Sequence, residues 1–341
     1  MTLDDVTAPV QEYRPRPPRR RSAGSWALAV LGVVALVGVL VAAPWDAERR
    51  QAYADQWVVW TDPPSAQVET LADELSLTET GRRIFFATRP QVEQARDFEA
   101  HCTVEAEVVL GCYYRGRIFV YDVTDERLAG TVQATAAHEL LHAVYERMGA
   151  ADQTRIDALI ADYVATLPDD DETRAIIDTY PADQHDDEWH SRLATSYETL
   201  PAAIERHYAA VFTDRGIVVA FDNTSREQLD GYTDRIDALS AELDAASADL
   251  SARSAAYDAD LAAVNAEIAT FNQRADSGGF SSQAEFDRER AALVARQDEL
   301  EARRLKLNAD VDDYNAKVVE LTSLDSERAE LYERLDSRSA P

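Results

Sequence analysis

From Ser225 onward the chain repeats a large apolar residue every seven positions. Leu229, Ile236, Leu243, Leu250, Tyr257, Val264 and Phe271 hold that spacing without a break. Asp276-Ser277-Gly278-Gly279 interrupts it, and Phe286, Leu293, Leu300, Leu307, Tyr314 and Leu321 resume it. Heptads on both sides of a Gly-Gly break predict two long helices folded into an antiparallel coiled-coil hairpin over residues 224–341. The alternate core positions are weak, at Ala246, Arg253, Asp260 and Glu267. The seam is therefore narrow, which invites a protein partner or self-association through the hairpin.

Near the other end, Trp26 to Trp45 runs without a charge. That length predicts a transmembrane helix at 25–45, with Trp at both interfaces. Residues 1–24 carry Pro15, Pro17, Pro18 and five Arg between Arg14 and Arg21, and read as a disordered cytoplasmic tail. The positive-inside rule then places residues 46–341 outside, as a single-pass cell-membrane protein. A cleaved signal peptide is the alternative, but Pro44 would sit just after the cut.

Residues 46–223 mix short apolar runs with helical periods. Glu48 to Asp55 reads as a helix or linker, and Trp57-Val58-Val59-Trp60 as a short strand or packing patch. Ala66 to Leu75 predicts a helix, Arg83 to Thr88 a strand, and Gln91 to Phe98 a helix. Strands are expected at Glu107 to Leu110 and Ile118 to Val123, joined as a hairpin through Tyr113 to Gly116. A helix follows from Gly130 to Met148, with Gly149 as its stop. Further helices are expected at Gln153 to Leu167, after Pro168, near Asp186 to Thr195, and at Pro201 to Phe212. The stretch Arg117 to Val123 is a candidate edge for docking an extended substrate.

The net charge of −29 argues against a nucleic-acid partner. The two cysteines, Cys102 and Cys112, predict a disulfide if this part is exported; reduced buried thiols are the rival.

The chemistry concentrates at His138-Glu139-Leu140-Leu141-His142. On a helix, positions i and i+4 share one face, so both imidazoles can hold two corners of a tetrahedral Zn²⁺ site. Glu139 lies beside the first of them, where a general base is needed. Ala136, Ala137, Leu140, Leu141, Ala143 and Val144 supply the apolar flank of a buried helix. A third ligand must come from elsewhere. The position six residues past His142 is Met148, which excludes the metzincin pattern.

The H-E-x-x-H core resembles the gluzincin-type zinc metallopeptidases, over roughly residues 83–212. The resemblance implies an α+β zincin-like catalytic domain at 46–223, with Glu188 as the third ligand. His190 is the alternative ligand, although on a helix it points about 200° away from Glu188. Many gluzincins carry an acid shortly after that Glu, where this chain has Ser191 and Arg192. His185 could support the site from behind or contact substrate; Asp186 and Asp187 read as first-turn acids. Tyr197, His207 and Tyr208 are candidate oxyanion donors or core residues. The expected function is hydrolysis of peptide bonds in a peptide or protein substrate by zinc-activated water, with Glu139 as general base. The alternative is a non-catalytic envelope scaffold or adaptor acting through the hairpin.

Overall fold

The computed structural model describes residues 11–12, 23–42, 47–102 and 109–339. Most of the basic tail, Pro44, Trp45 and the first half of the expected 107–110 strand lie outside them. The chain divides into two units, residues 1–50 and 51–341. The first contains α1 (Ala23–Ala42). Among the described residues, no helix is long and apolar enough to cross a membrane, which overturns the transmembrane segment at 25–45 and the single-pass localisation built on it.

The α+β zincin-like domain is also corrected. The described residues form helices nearly throughout: α2 (Ala47–Thr61), α3 (Ala66–Glu74), α4 (Glu79–Ala87), α5 (Ala95–His101), α6 (Thr131–Arg147), α7 (Ala150–Val164), α8 (Glu172–Ile177), α9 (His185–Ser196), α10 (Ala202–Tyr208), α11 (Arg215–Asp276) and α12 (Gln283–Leu335). Only three short strands accompany them: β1 (Gln91–Glu93), β2 (Gly111–Tyr114) and β3 (Arg117–Tyr121).

Two apolar runs expected as strands or patches are helical. Residues 83–87 fall in α4, with Thr88 as its C-cap, and its start is fixed by the Thr78 side chain accepting from Gly81 N–H at 3.0 Å. Gly81 lies so close to the Val211 carbonyl that an added Cβ would meet its oxygen at 2.3 Å. The cap and this close approach outweigh the strand propensity of Ile84-Phe85-Phe86. Trp57 to Trp60 lie in α2. The expected helix at 91–98 divides into β1 and α5. Gly149 does not stop α6 in a left-handed conformation; it is extended and precedes α7.

The sheet order is β1-β3-β2, with β1 parallel and β2 antiparallel to β3. β3 is therefore central, paired on both sides, and cannot be the substrate-docking edge. The hairpin turn is Arg115-Gly116, both at positive φ (51° and 75°), a two-residue turn that matches strand twist. It pairs Tyr114 with Arg117, which sets β2 at 111–114. The core lies where α6 packs on β2, β3, α9 and α11, around Phe85, Ile118, Leu140, Leu141, Leu193 and Val218.

The long C-terminal hairpin agrees with the heptads. Ile236, Leu243, Val264 and Leu300 are buried, and the other seam residues are half-buried. The tip is an aromatic cluster of Phe271, Phe280 and Phe286, with centroids 5.0–5.2 Å apart, and Arg274 over the Phe280 ring. Three of the weak core positions are ion-paired across the hairpin: Arg253 with Asp310, Asp260 with Arg303 at 2.7 Å, and Glu267 with Arg296. Arg274 with Glu289 at 2.7 Å forms a fourth rung.

The rungs recur every heptad, and their signs fix the register. A one-heptad slip one way sets Arg253 against Arg303 and Glu267 against Glu289. The opposite slip sets Asp260 against Asp310 and Arg274 against Arg296. Each exposed pair stabilises little, but two like-charge pairs penalise each one-heptad slip. We expect Asp260→Arg to lower the thermal midpoint and broaden the transition. Asp260→Arg with Arg303→Asp should restore both. Calorimetry at low salt measures this; failure of the double exchange to recover would remove the ladder as the register device.

Candidate metal centre

α6 and α9 build the centre between them. On α6, His138 and His142 stand one turn apart with their Nε2 atoms 3.1 Å from each other. From α9, Glu188 places Oε2 3.6 Å from His138 Nε2 and Oε1 3.6 Å from His142 Nε2. The three groups offer ligand atoms all within 4.8 Å of one another and could hold a metal ion. A tetrahedral ion with ligands near 2.0–2.1 Å has edges of about 3.3 Å. The observed separations bracket that value. Glu188 Oε2 is buried and makes no hydrogen bond, so a carboxylate oxygen is left for a cation to satisfy.

Burial sets the electrostatics. It pushes the Glu139 carboxyl up to about 7, with Glu188 and Asp187 adding and His142 opposing. Burial likewise raises Glu188. It holds His138 well below the ordinary imidazole value, helped by His142 and Arg192. His142 is also buried, but its hydrogen bond to Asp187 and the charges of Glu139, Asp187 and Glu188 outweigh this and raise it to about 9. A dense set of ionisable groups in an apolar frame is the signature of a functional site.

Glu139 is held by β2. Leu110 O accepts from Tyr121 N–H at 2.8 Å, and Tyr114 pairs with Arg117, so residues 110, 112 and 114 face β3. Gly111 and Tyr113 then turn their backbone groups outward. Tyr113 N–H donates to the Glu139 carboxylate. The Tyr113 hydroxyl donates to Glu146 and accepts from Arg147 at 3.1 Å, and Arg147 in turn grips Asp55 at 3.0 Å. The strand start is pinned by the Cys102–Cys112 disulfide. At Gly111 a Cβ would meet Thr135 Cγ2 at 2.5 Å and Glu139 Cγ and Oε1 at 2.9 Å.

The other expected residues fall elsewhere. His190 is fully buried; its Nε2 lies 2.9 Å from His207 Nε2, and its ring packs near Tyr145 and Tyr208. It is not part of the metal-binding group. His185 Nε2 lies 2.9 Å from the Tyr180 carbonyl. The Tyr197 hydroxyl donates to Asp171 and the Tyr208 hydroxyl to the His190 carbonyl. Those three candidate oxyanion donors are thus committed to the frame.

Sequence reasoning missed Asp187, whose Oδ1 sits 3.0 Å from His142 Nδ1. It orients the imidazole from behind, as a carboxylate behind a metal-binding His does. Its place in the first turn of α9 made a dipole role the simpler reading. Gly111 was missed because a strand glycine carries no chemical signal of its own.

No protein-family model, curated protein or solved structure matches the chain.

Two outcomes follow from this geometry. Asp187→Asn should weaken binding of a divalent metal ion at this group about 10–100-fold, measured by competition with a chromophoric chelator. Unchanged affinity would remove Asp187 from the site. Gly111→Ala must displace Glu139 or β2, and should lower any Glu139-dependent turnover about 100-fold with metal content retained. Full turnover would show that the contact relaxes without cost.

Proposed function

We propose that the protein is a zinc-dependent peptide hydrolase acting in the manner of the gluzincin-type metallopeptidases, which its H-E-x-x-H core resembles. The supporting observation is the convergence of His138, His142 and Glu188 within 4.8 Å beside a buried carboxylate at Glu139. Two imidazoles and one carboxylate are the donor set of catalytic zinc sites that keep a fourth position open. His138, His142 and Glu188 would hold the ion. When bound, Zn²⁺ supplies Lewis acidity and lowers the pKa of its water.

The chain's own groups do the remaining work. Glu139 accepts a proton from the attacking water at its carboxylate and returns it to the leaving amine nitrogen. Tyr113 N–H holds that carboxylate in place. The outward backbone groups of Gly111, with the Tyr113 carbonyl, offer main-chain hydrogen bonds to an extended substrate along the free edge of β2. Asp187 keeps His142 oriented.

Glu139→Gln should keep the metal, because Glu139 is outside the ligand group, and lose nearly all hydrolysis. His138→Ala should lose the metal, and Glu188→Ala should behave alike. Metal analysis and a peptide-library cleavage assay read both. Zinc retained after Glu188→Ala would overturn the ligand set. A wild-type chain that takes up zinc and cleaves nothing would favour the second reading, a scaffold or adaptor acting through its 62- and 53-residue hairpin helices.

A further inference from the structure

One charged side chain beside the metal-binding group has no role in the chemistry above. Arg192 lies one helical turn after Glu188 on α9, so the two share a face. Its Nε is 3.7 Å from Glu188 Oε2, is buried, and makes no hydrogen bond. Its Nη2 reaches only the Tyr180 hydroxyl, at 3.5 Å. Two more enclosed arginines are treated differently. Arg147 grips Asp55 through Nε at 3.0 Å and Nη2 at 3.2 Å. Arg215 binds Glu205 through Nε at 3.1 Å and takes the Ala194 carbonyl at 3.0 Å. Arg192 has only the 3.7 Å ion pair to Glu188, and no hydrogen-bonded carboxylate or carbonyl. Asp222, the other nearby acid, is occupied by Arg226 at 2.8 Å.

We propose that Arg192 and Tyr180 form a subsite for the free C-terminal carboxylate of a peptide substrate, so that the protein removes residues from the carboxyl end. This rests on the peptide-hydrolase reading. A guanidinium is a planar fork that matches a carboxylate with two parallel hydrogen bonds, and a partly desolvated one gains most from such a partner. Glu188 offers the fork a single oxygen at 3.7 Å, shared with His138 Nε2 at 3.6 Å, so the parallel pair of hydrogen bonds stays open. An anion held within reach of Arg192 sits beside the metal-binding group, and the substrate anion that close to a scissile carbonyl is the carboxylate one residue further on. Tyr180 adds a neutral donor, because burial raises its hydroxyl above the ordinary phenol value. In the reaction, water adds across the last C–N bond. A C–O bond forms, the C–N bond breaks, the amine takes the proton from Glu139, and one free amino acid leaves.

The test uses paired peptides that are identical except for a free-acid or an amidated C-terminus. The zinc-loaded wild type should cleave the acid with a kcat/KM about 10–100-fold higher, the range of one charged hydrogen-bonded contact, mostly through KM. Its first product should be a single amino acid. Glu139→Gln loaded with zinc should bind the acid over the amide by the same factor in calorimetry, without turnover. Arg192→Gln and Tyr180→Phe should each shrink the acid-to-amide ratio, and Arg192→Lys should keep part of it, with thermal midpoints checking the fold. Equal binding and cleavage of acid and amide by the wild type overturns the subsite and leaves the hydrolase. Equal losses on both peptides in Arg192→Gln also overturn it. Selective binding by Glu139→Gln with no cleavage by the wild type keeps the subsite and removes the hydrolase. Neither binding nor cleavage removes both.

Discussion

The packing of α6 against α9 is the contact on which the rest depends. Leu140, Leu141 and Ala137 on one helix and Leu193 and Ala194 on the other are all buried to 0% exposure. Fully burying one such leucine contributes roughly 1.5–3 kcal/mol, so this apolar joint has ample free energy to hold polar groups in register beside it. The same two helices carry His138, His142, Glu188 and Asp187. His138 and His142, one turn apart on one face of α6, meet Asp187 and Glu188 from the first turn of α9 where the two helices pack. The metal-binding group is a consequence of helix packing, with no loop left to position it.

That arrangement has a cost that folding alone does not explain. Glu139 and Glu188 are buried carboxyls, 6% and 7% exposed, next to imidazoles that are themselves nearly enclosed. Burial opposes the charged form of each, and a buried pair of this kind is often no better for stability than an apolar replacement. Arg215, by contrast, is satisfied by Glu205 and the carbonyls of Ala194, Tyr197 and Glu198. Two of the buried side-chain atoms left without a hydrogen bond, Glu188 Oε2 and Arg192 Nε, lie together on α9 beside the two histidines.

Much of this was legible in the sequence, for identifiable reasons. The heptads were readable because one strict period covers dozens of residues, far longer than any competing pattern. The two histidines and Glu139 were readable because their spacing on a helix has one geometric meaning. Glu188 required a resemblance, since nothing local ties a residue on α9 to α6. The short apolar runs at 57–60 and 83–88 were misread because four to six residues cannot distinguish a strand from a helical segment. Capping at Thr78 and tertiary packing decided the second case, and neither has a periodic signature. The central position of β3 was hidden because β1 is three residues long and pairs with it in parallel across a distance in sequence. Asp187 and Gly111 matter only through what they touch, and touching is not written in a single chain.

The hairpin is rooted in the segment that starts α6. α11 begins at Arg215, before the heptads, and its Val218 and Val219 are buried. Phe221 O lies where a Cβ on Gly130 would meet it at 2.6 Å, and Gly130 adopts a φ of 95° that suits glycine. The Thr131 and Ser225 hydroxyls are 2.6 Å apart. From the other leg, Leu331 and Leu335 enclose Leu128, and Glu330 takes Arg127 at 3.2 Å. Both legs therefore hold residues 127–131, the segment that leads directly into the helix carrying His138. A change in the splay of the legs must be absorbed there, by the left-handed Gly130 or by the first turn of α6. Because Thr131, Ala134, Ala136 and Ala137 are all buried, that first stretch of α6 has little freedom to bend. The hairpin and the metal centre are thus two ends of one stiff connection.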